Sequence, residues 1–181
     1  MRRFEALVLP HADAAYNLAT RLTRRAEAAE DVVHDAYVRA LGGFAGFRGG
    51  DARAWILTIV RRRAYDWLNQ RRDERLAPLT LSVADDPGQD AEIEPYDPEQ
   101  ESPEQILIRK GEAAAVHVLI NALPPRLREV LVLREMEDLS YREIARITDS
   151  PIGSVMSRLA RARAQFGEAW RQIHGSEDFP E

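Results

Sequence analysis

The stretch LSYREIARITDSPIGSVMSRLARARAQF, Leu139 to Phe166, sets a Pro, a Gly and several Ser residues inside an otherwise helical, Arg-rich segment. Ser140 with Glu143 three residues on has the spacing of a capping box, and Leu139 and Ile144 occupy the flanking hydrophobic-staple positions, so a helix starts here. After Ile147, the polar Thr148-Asp149-Ser150 reads as a short turn, with Ser150 a candidate N-cap and Pro151 at the first position of a second helix. Two short helices joined by a three- or four-residue turn form a helix-turn-helix, whose second helix enters the DNA major groove by its N-terminal end. At about 100° per residue, Ile152, Val155, Leu159, Ala162 and Phe166 share one face and Gly153, Ser154, Ser157 and Arg161 the other. Small residues at the leading end admit close approach to the groove, Ser bonds phosphates or base edges, and Arg158, Arg161 and Arg163 supply charge for phosphate or guanine.

A second basic helix lies in the first half, in DARAWILTIVRRRAYDWLNQRR, Asp51 to Arg72. Ile56, Leu57, Ile59, Val60, Ala64 and Trp67 make its apolar side, while Thr58, Arg61, Arg62, Tyr65, Asn69 and Arg72 form an opposite stripe. Such a stripe suits DNA: Arg neutralises phosphate, Asn reads adenine edges and an aromatic ring stacks on an exposed base. Trp55 and Trp67 read as core residues. The preceding loop, GGFAGFRGGD, carries Phe44, Phe47 and Arg48 in the composition wanted where a single unpaired base is captured by stacking.

Between these basic segments, Asp73 to Glu104 holds eleven acids against one base, Arg75, with five prolines and no sustained apolar period. It reads as a solvated linker. The net charge of −5 is therefore concentrated there, and the rest of the chain sums to +5. The expected fold is all-α, with two small helical domains, residues 1–72 and 105–173, joined by the acidic, Pro-containing linker 73–104 and followed by a polar tail, 174–181. Helices are expected near Phe4 to Thr23, Ala26 to Leu41, Ala52 to Gln70, Ser102 to Ala122 and Pro124 to Glu137, because apolar residues recur at three- and four-residue spacing.

Composition bounds the function classes further. No apolar run approaches the roughly 20 residues of a membrane span, and MRRFEALVLP lacks a cleavable signal, so a soluble, cytoplasmic protein without a membrane span is expected. Zero Cys excludes disulfides and thiol chemistry from the chain itself. No phosphate-cradling loop, metal-ligand cluster or activated nucleophile is visible, so no catalytic residue, metal or cofactor is expected.

In this order the segments resemble a bacterial RNA polymerase sigma factor of the extracytoplasmic-function (ECF) group of the sigma-70 family. AAEDVVHDAYVRAL (Ala28 to Leu41) is similar to the family's polymerase-clamp-binding helix and AWILTIVRRRAYDWLNQRR (Ala54 to Arg72) to its −10 helix. LPPRLREVLVLREMEDLSYREIARITDSPIGSVMSRLARAR (Leu123 to Arg163) is similar to its −35 reader. The resemblance implies a non-enzymatic promoter-specificity subunit that binds core RNA polymerase through the β′ clamp helices and β flap, reads promoter DNA and melts it. It implies that Glu30, Asp31, His34 and Asp35 dock the polymerase, where the family usually has Gln in place of His34. Phe44, Phe47 and Arg48 would capture a flipped base, with Arg61, Arg62, Tyr65 and Asn69 near the melted strand; the family commonly has Asn in place of Arg62. Gly153, Ser154, Ser157, Arg158 and Arg161 would face the −35 groove. An anti-sigma factor that clamps both domains is implied as well, and no obligate homo-oligomer. The linker would let the domains be held compactly when inhibited and spread apart on promoter DNA, with a larger radius for the free protein than for the inhibited complex, and its acids would mimic nucleic acid in the polymerase channel. Two other readings are a sigma-like decoy for an anti-sigma factor and a stand-alone helix-turn-helix repressor. The DNA-facing Arg stripe argues against the decoy, and the lack of dimerising heptads argues against the repressor.

Overall fold

The computed structural model describes residues 2–76 and 103–174, with side chains for 2–71, 111 and 113–173. Residues 77–102, most of the expected acidic linker, and residues 175–181 of the expected tail lie outside the described residues. The helices are α1 (Arg2–Val8), α2 (Ala12–Thr23), α3 (Ala26–Gly43), α4 (Ala52–Leu76), α5 (Pro103–Ala122), α6 (Pro125–Leu131), α7 (Tyr141–Thr148) and α8 (Ile152–His174). Among the described residues there is no strand.

The expected single helix from Phe4 to Thr23 is two helices. Pro10 lacks the N–H that a continuing helix needs, and a 3-10 turn, Leu9–His11, replaces that stretch. α2 ends at Thr23 because Arg24 takes a left-handed conformation at φ 61°, which returns its N–H to Thr20 O at 2.8 Å. Asp51 caps the start of α4, its Oδ1 accepting from Ala54 N at 3.0 Å, and Gly49 and Gly50 before it adopt φ values of 94° and 103° open to glycine. It runs past Gln70 to Leu76, into what the sequence reading counts as linker.

In the first half, α2, α3 and α4 pack on one another around Leu18, Leu22, Ile56, Leu57 and Val60, all fully buried. Burying such a side chain is worth roughly 1.5–3 kcal/mol. Ala15, Ala19, Ala29, Ala36, Ala40 and Ala64 are also fully buried, and their small side chains let the three helices approach closely. In the second half, α6, α7 and α8 pack around Leu133, Ile144, Ile147, Val155 and Leu159.

The two halves are packed together. α6 lies on α2, and α7 lies on α4. In α6 and the turn that follows it, every residue from Leu127 to Leu133 is buried. A helix buried on all sides needs a neighbour on each, and here α8 lies on one side and the first half on the other. Buried apolar residues form one cluster that spans both halves, from Phe4 to Ala162.

The helix expected to reach Glu137 changes pitch. Val132–Met136 is π-helical, closed by Glu137 N donating to Val132 O at 3.1 Å. Asp138, left-handed at φ 47°, then turns the chain toward α7.

Candidate nucleic-acid and polymerase interfaces

The turn before α7 behaves as its local sequence dictates. Glu143 N donates to Ser140 Oγ at 3.3 Å and Ser140 N to Glu143 Oε2 at 2.7 Å, a complete capping box. The Ser140 hydroxyl and then its backbone N–H, both beside the carboxylate, hold the Glu143 carboxyl below the usual glutamate range. α7 stops at Asp149, left-handed at φ 49°, a conformation that Asp tolerates better than most residues. Pro151, rather than Ser150, fills the cap position of α8: its carbonyl accepts from Ser154 N at 2.9 Å and Val155 N at 3.1 Å. Ser150 Oγ instead donates to Thr148 O at 3.1 Å and accepts from Arg158 Nη1 at 3.1 Å, so the turn is tied to the second helix.

On α8, Val155, Leu159 and Ala162 are buried as expected, and Phe166 is half-buried on Trp170. Ile152 is 42% exposed and Met156 52%. Gly153, Ser157 and Arg161 are exposed, Ser154 and Arg158 half-buried. Arg161 Nε donates only to Ser157 O at 3.3 Å, so among the described residues no carboxylate holds its guanidinium. Arg163, by contrast, is held by Glu135 at 2.6 Å. Arg142 and Arg146 of α7 line the groove between the two helices together with Asp149, Pro151 and Ile152.

The stripe on α4 is divided. Arg62 and Asn69 are exposed. Arg61 turns toward the second half, where its Nε meets Glu129 Oε2 at 2.8 Å and its Nη2 meets Oε1 at 3.4 Å. Its guanidinium also lies over the Tyr65 ring, 4.9 Å from the centroid. The Tyr65 hydroxyl is buried beside Glu129, and burial first, then that negative charge, pushes its pKa up. The side chain of Arg72 lies outside the described residues.

Phe44 and Phe47 belong to an aromatic cluster. Phe44 meets Phe4 edge-on at 5.2 Å and Phe47 at 5.8 Å, and Phe47 lies 4.9 Å from Trp55. Trp55, which the sequence reading gives to the core, is half-buried and lines a hollow with Phe47, Arg48, Gly49 and Thr58. Arg146 of α7 forms the far wall of that hollow.

On α3, Glu30, Asp31 and His34 are exposed, and Asp35 is half-buried. Burial works against the Asp35 carboxylate, but Arg39 at 3.1 Å and the neighbouring Arg63 hold its pKa below the usual range. The sequence reading misses Val38, 55% exposed, and Leu41, 45% exposed. At helical spacing they share the face of Asp31 and His34, so the surface is acidic with an apolar centre. It also misses the residues that join the halves: Glu137 takes Arg53 Nη2 at 2.6 Å and Asn17 Nδ2 at 3.3 Å, and Arg128 donates to Arg21 O at 2.7 Å. Among the described residues no cluster of His, Asp or Glu could hold a metal, and no helix is long and apolar enough to cross a membrane.

Comparison with known proteins gives two family matches, Sigma-70 region 2 over residues 7–74 and Sigma-70 region 4 over residues 113–166. The chain is 36% identical over 176 residues to the RNA polymerase sigma-H factor of Pseudomonas aeruginosa, covering 95% of this chain and 88% of that protein. It is 30% identical to the ECF RNA polymerase sigma-E factor of Escherichia coli K12, covering 90% of this chain and 83% of that protein. Among solved structures it is similar to the sigma factor RpoE of Bartonella quintana, determined in complex with the anti-sigma factor NepR. That match has a TM-score of 0.71 and 25% identity, and covers 94% of this chain and 98% of that one.

Proposed function

The chain belongs to the ECF group of RNA polymerase sigma factors in the sigma-70 family, and from that premise we propose that it binds core polymerase and directs it to promoters whose −35 and −10 elements it reads. The observation that carries this reading is the leading end of α8. Gly153, Ser157 and Arg161 are presented to solvent on a capped helix-turn-helix, with Arg161 uncommitted to any carboxylate among the described residues. A recognition helix needs small residues where the backbone meets the groove and a free guanidinium where a guanine edge or phosphate is met.

Polymerase docking falls to α3, where Glu30, Asp31 and His34 ring the exposed Val38 and Leu41. Charge steers such an encounter and the apolar centre stabilises it. Strand capture falls to the hollow beside Phe47 and Trp55 with the exposed Arg48, and to the exposed Arg62 and Asn69 farther along α4, with Arg61, Tyr65 and Phe44 in support. The residue ranges 1–72 and 105–173 are the units of this division of labour, with the acidic segment between them. The protein acts in the cytoplasm, where the polymerase is, and performs no chemistry of its own. By analogy with the relative solved with an anti-sigma factor, an anti-sigma partner is proposed that grips both halves.

Run-off transcription from fragmented genomic DNA, with purified core polymerase and with or without the protein, tests the reading. New start sites sharing two spaced upstream elements support it. Core binding without defined starts would remove promoter reading, and no core binding would leave the chain as a decoy for an anti-sigma factor.

A further inference from the structure

The contact between the halves uses one guanidinium of the stripe that a DNA strand would meet, that of Arg61. Glu129 is fully buried, and both of its carboxylate oxygens engage Arg61, whose side chain is only 15% exposed. Glu137, 5% exposed, accepts from Arg53 Nη2 at 2.6 Å through one oxygen and from Asn17 Nδ2 at 3.3 Å through the other. Arg146 of α7 lies over the hollow beside Phe47 and Trp55. We propose that the free chain closes on itself through an internal clasp in which Glu129 stands in for a DNA phosphate on Arg61, fastened a second time by Glu137 on Arg53, and that single-stranded DNA opens it by competing for the Arg61 guanidinium. The proposal rests on the reading of α4 as the helix that meets the melted strand.

Carboxylate and phosphate present a guanidinium with the same paired, negatively charged oxygens, so the exchange of one for the other keeps the geometry of the bond. The choice of residues also suits a contact that must part. A buried ion pair recovers little more than the desolvation of its two charges, and an apolar pair in its place would often be as stable or more so. Once separated, however, Glu129 and Arg61 are rehydrated, whereas an apolar pair would leave greasy patches on both halves. The closed form therefore holds its partners specifically without welding them. It also withdraws Arg61 from the basic face of α4, which among the described residues leaves Arg62 and Asn69 of the stripe exposed to DNA.

The chain has no Cys, so dye pairs go cleanly onto Glu5→Cys in α1 and Gln165→Cys in α8, both exposed. Energy transfer between them reports closure of the full-length protein. Transfer is expected to be high in the free protein and to fall on titration with unlabelled single-stranded DNA of mixed sequence. Glu129→Gln, which keeps the shape but drops the charge, is expected to lower transfer before DNA is added. It should raise the affinity for the same DNA by the reciprocal of the open fraction, roughly tenfold if a tenth of the wild-type chain is open. If circular dichroism finds Glu129→Gln unfolded, Glu137→Gln, at the rim of the contact, carries the same expectation. The exchange Arg61→Glu with Glu129→Arg is expected to restore high transfer while leaving DNA binding weak. Unchanged transfer in both Gln variants would overturn the clasp whatever the DNA does. Lowered transfer in variants that bind single-stranded DNA no better than the wild type would keep the closure but overturn its role on the strand-binding face, and with it the reading of α4.

Discussion

The guanidinium of Arg128 closes the end of α2 from 107 positions away, its Nη1 donating to the carbonyl oxygen of Arg21 at 2.7 Å. The same group donates through Nη2 to Leu123 O at 2.7 Å, in the turn between α5 and α6, so one side chain ties three helix ends together. Carbonyls at a helix C-terminus lack partners of their own, and a cation there meets the negative end of the helix dipole. Burial, and then the nearby charge of Arg24, pushes the Arg128 pKa down to about 10, so it stays charged at neutral pH.

Replacing Arg128 should therefore weaken the whole molecule. Arg128→Met removes two charge-assisted bonds and leaves two carbonyls without donors, an expected loss of about 2–4 kcal/mol in urea unfolding. Arg128→Lys, which keeps the charge but cannot span both carbonyls, should lose less. A methionine variant as stable as the wild type would show that water replaces the guanidinium at no cost.

The cap of α7 makes a smaller and pH-dependent contribution. Ser140→Ala is expected to lose about 1 kcal/mol. Because the folded-state pKa of Glu143 is depressed, its contribution is present above the ordinary glutamate pKa and is lost as pH falls through the lower, folded value. The wild type should thus lose more stability than Ser140→Ala between neutral pH and about pH 3; parallel curves would remove the carboxylate from the cap.

At the recognition helix, Arg161→Ala should weaken binding of a duplex carrying the −35 element by about 1–3 kcal/mol if the guanidinium reads a base, with relaxed preference at one position. Fluorescence anisotropy across a set of single-base variants checks this. A uniform loss with a shallower salt dependence would make Arg161 a phosphate contact instead.

On α3, the double substitution Glu30→Arg with Asp31→Arg should leave the melting temperature nearly unchanged, since both side chains are exposed. Binding to core polymerase should fall about tenfold or more, a loss of at least about 1.4 kcal/mol. Asp35→Ala should behave differently, costing some stability because it releases Arg39 and Arg63 together. Equal polymerase affinity in the double variant would move the docking surface elsewhere.

Much of this architecture is legible in local sequence. The capping box is written in four residues, and the buried faces of α4 and α8 follow from helical spacing. Where the reading fails, the cause is either a rule not applied or a contact too distant to see. Pro10 ends a helix by the same logic that lets Pro125 begin one, and the sequence reading carries the first helix straight through it. Ile152 falls on the apolar side of the wheel, yet the wheel has no knowledge of where the neighbouring helix stops. The pairs Arg61 with Glu129 and Arg53 with Glu137 are separated by 68 and 84 positions and leave no periodic trace. Their one signal is the run LREVLVL, Leu127 to Leu133, where no side is spared for solvent and a second partner is therefore needed.

The acid buried on α6 also limits how the molecule can be recombined. A hybrid that joins the first half of one relative to the second half of this chain inherits Glu129 without assurance of an arginine opposite it, and an unpartnered buried carboxylate is among the costliest defects a fold can carry. The halves can be exchanged between relatives only when positions 61 and 129 travel together, so they are transplanted as a matched set and not piece by piece.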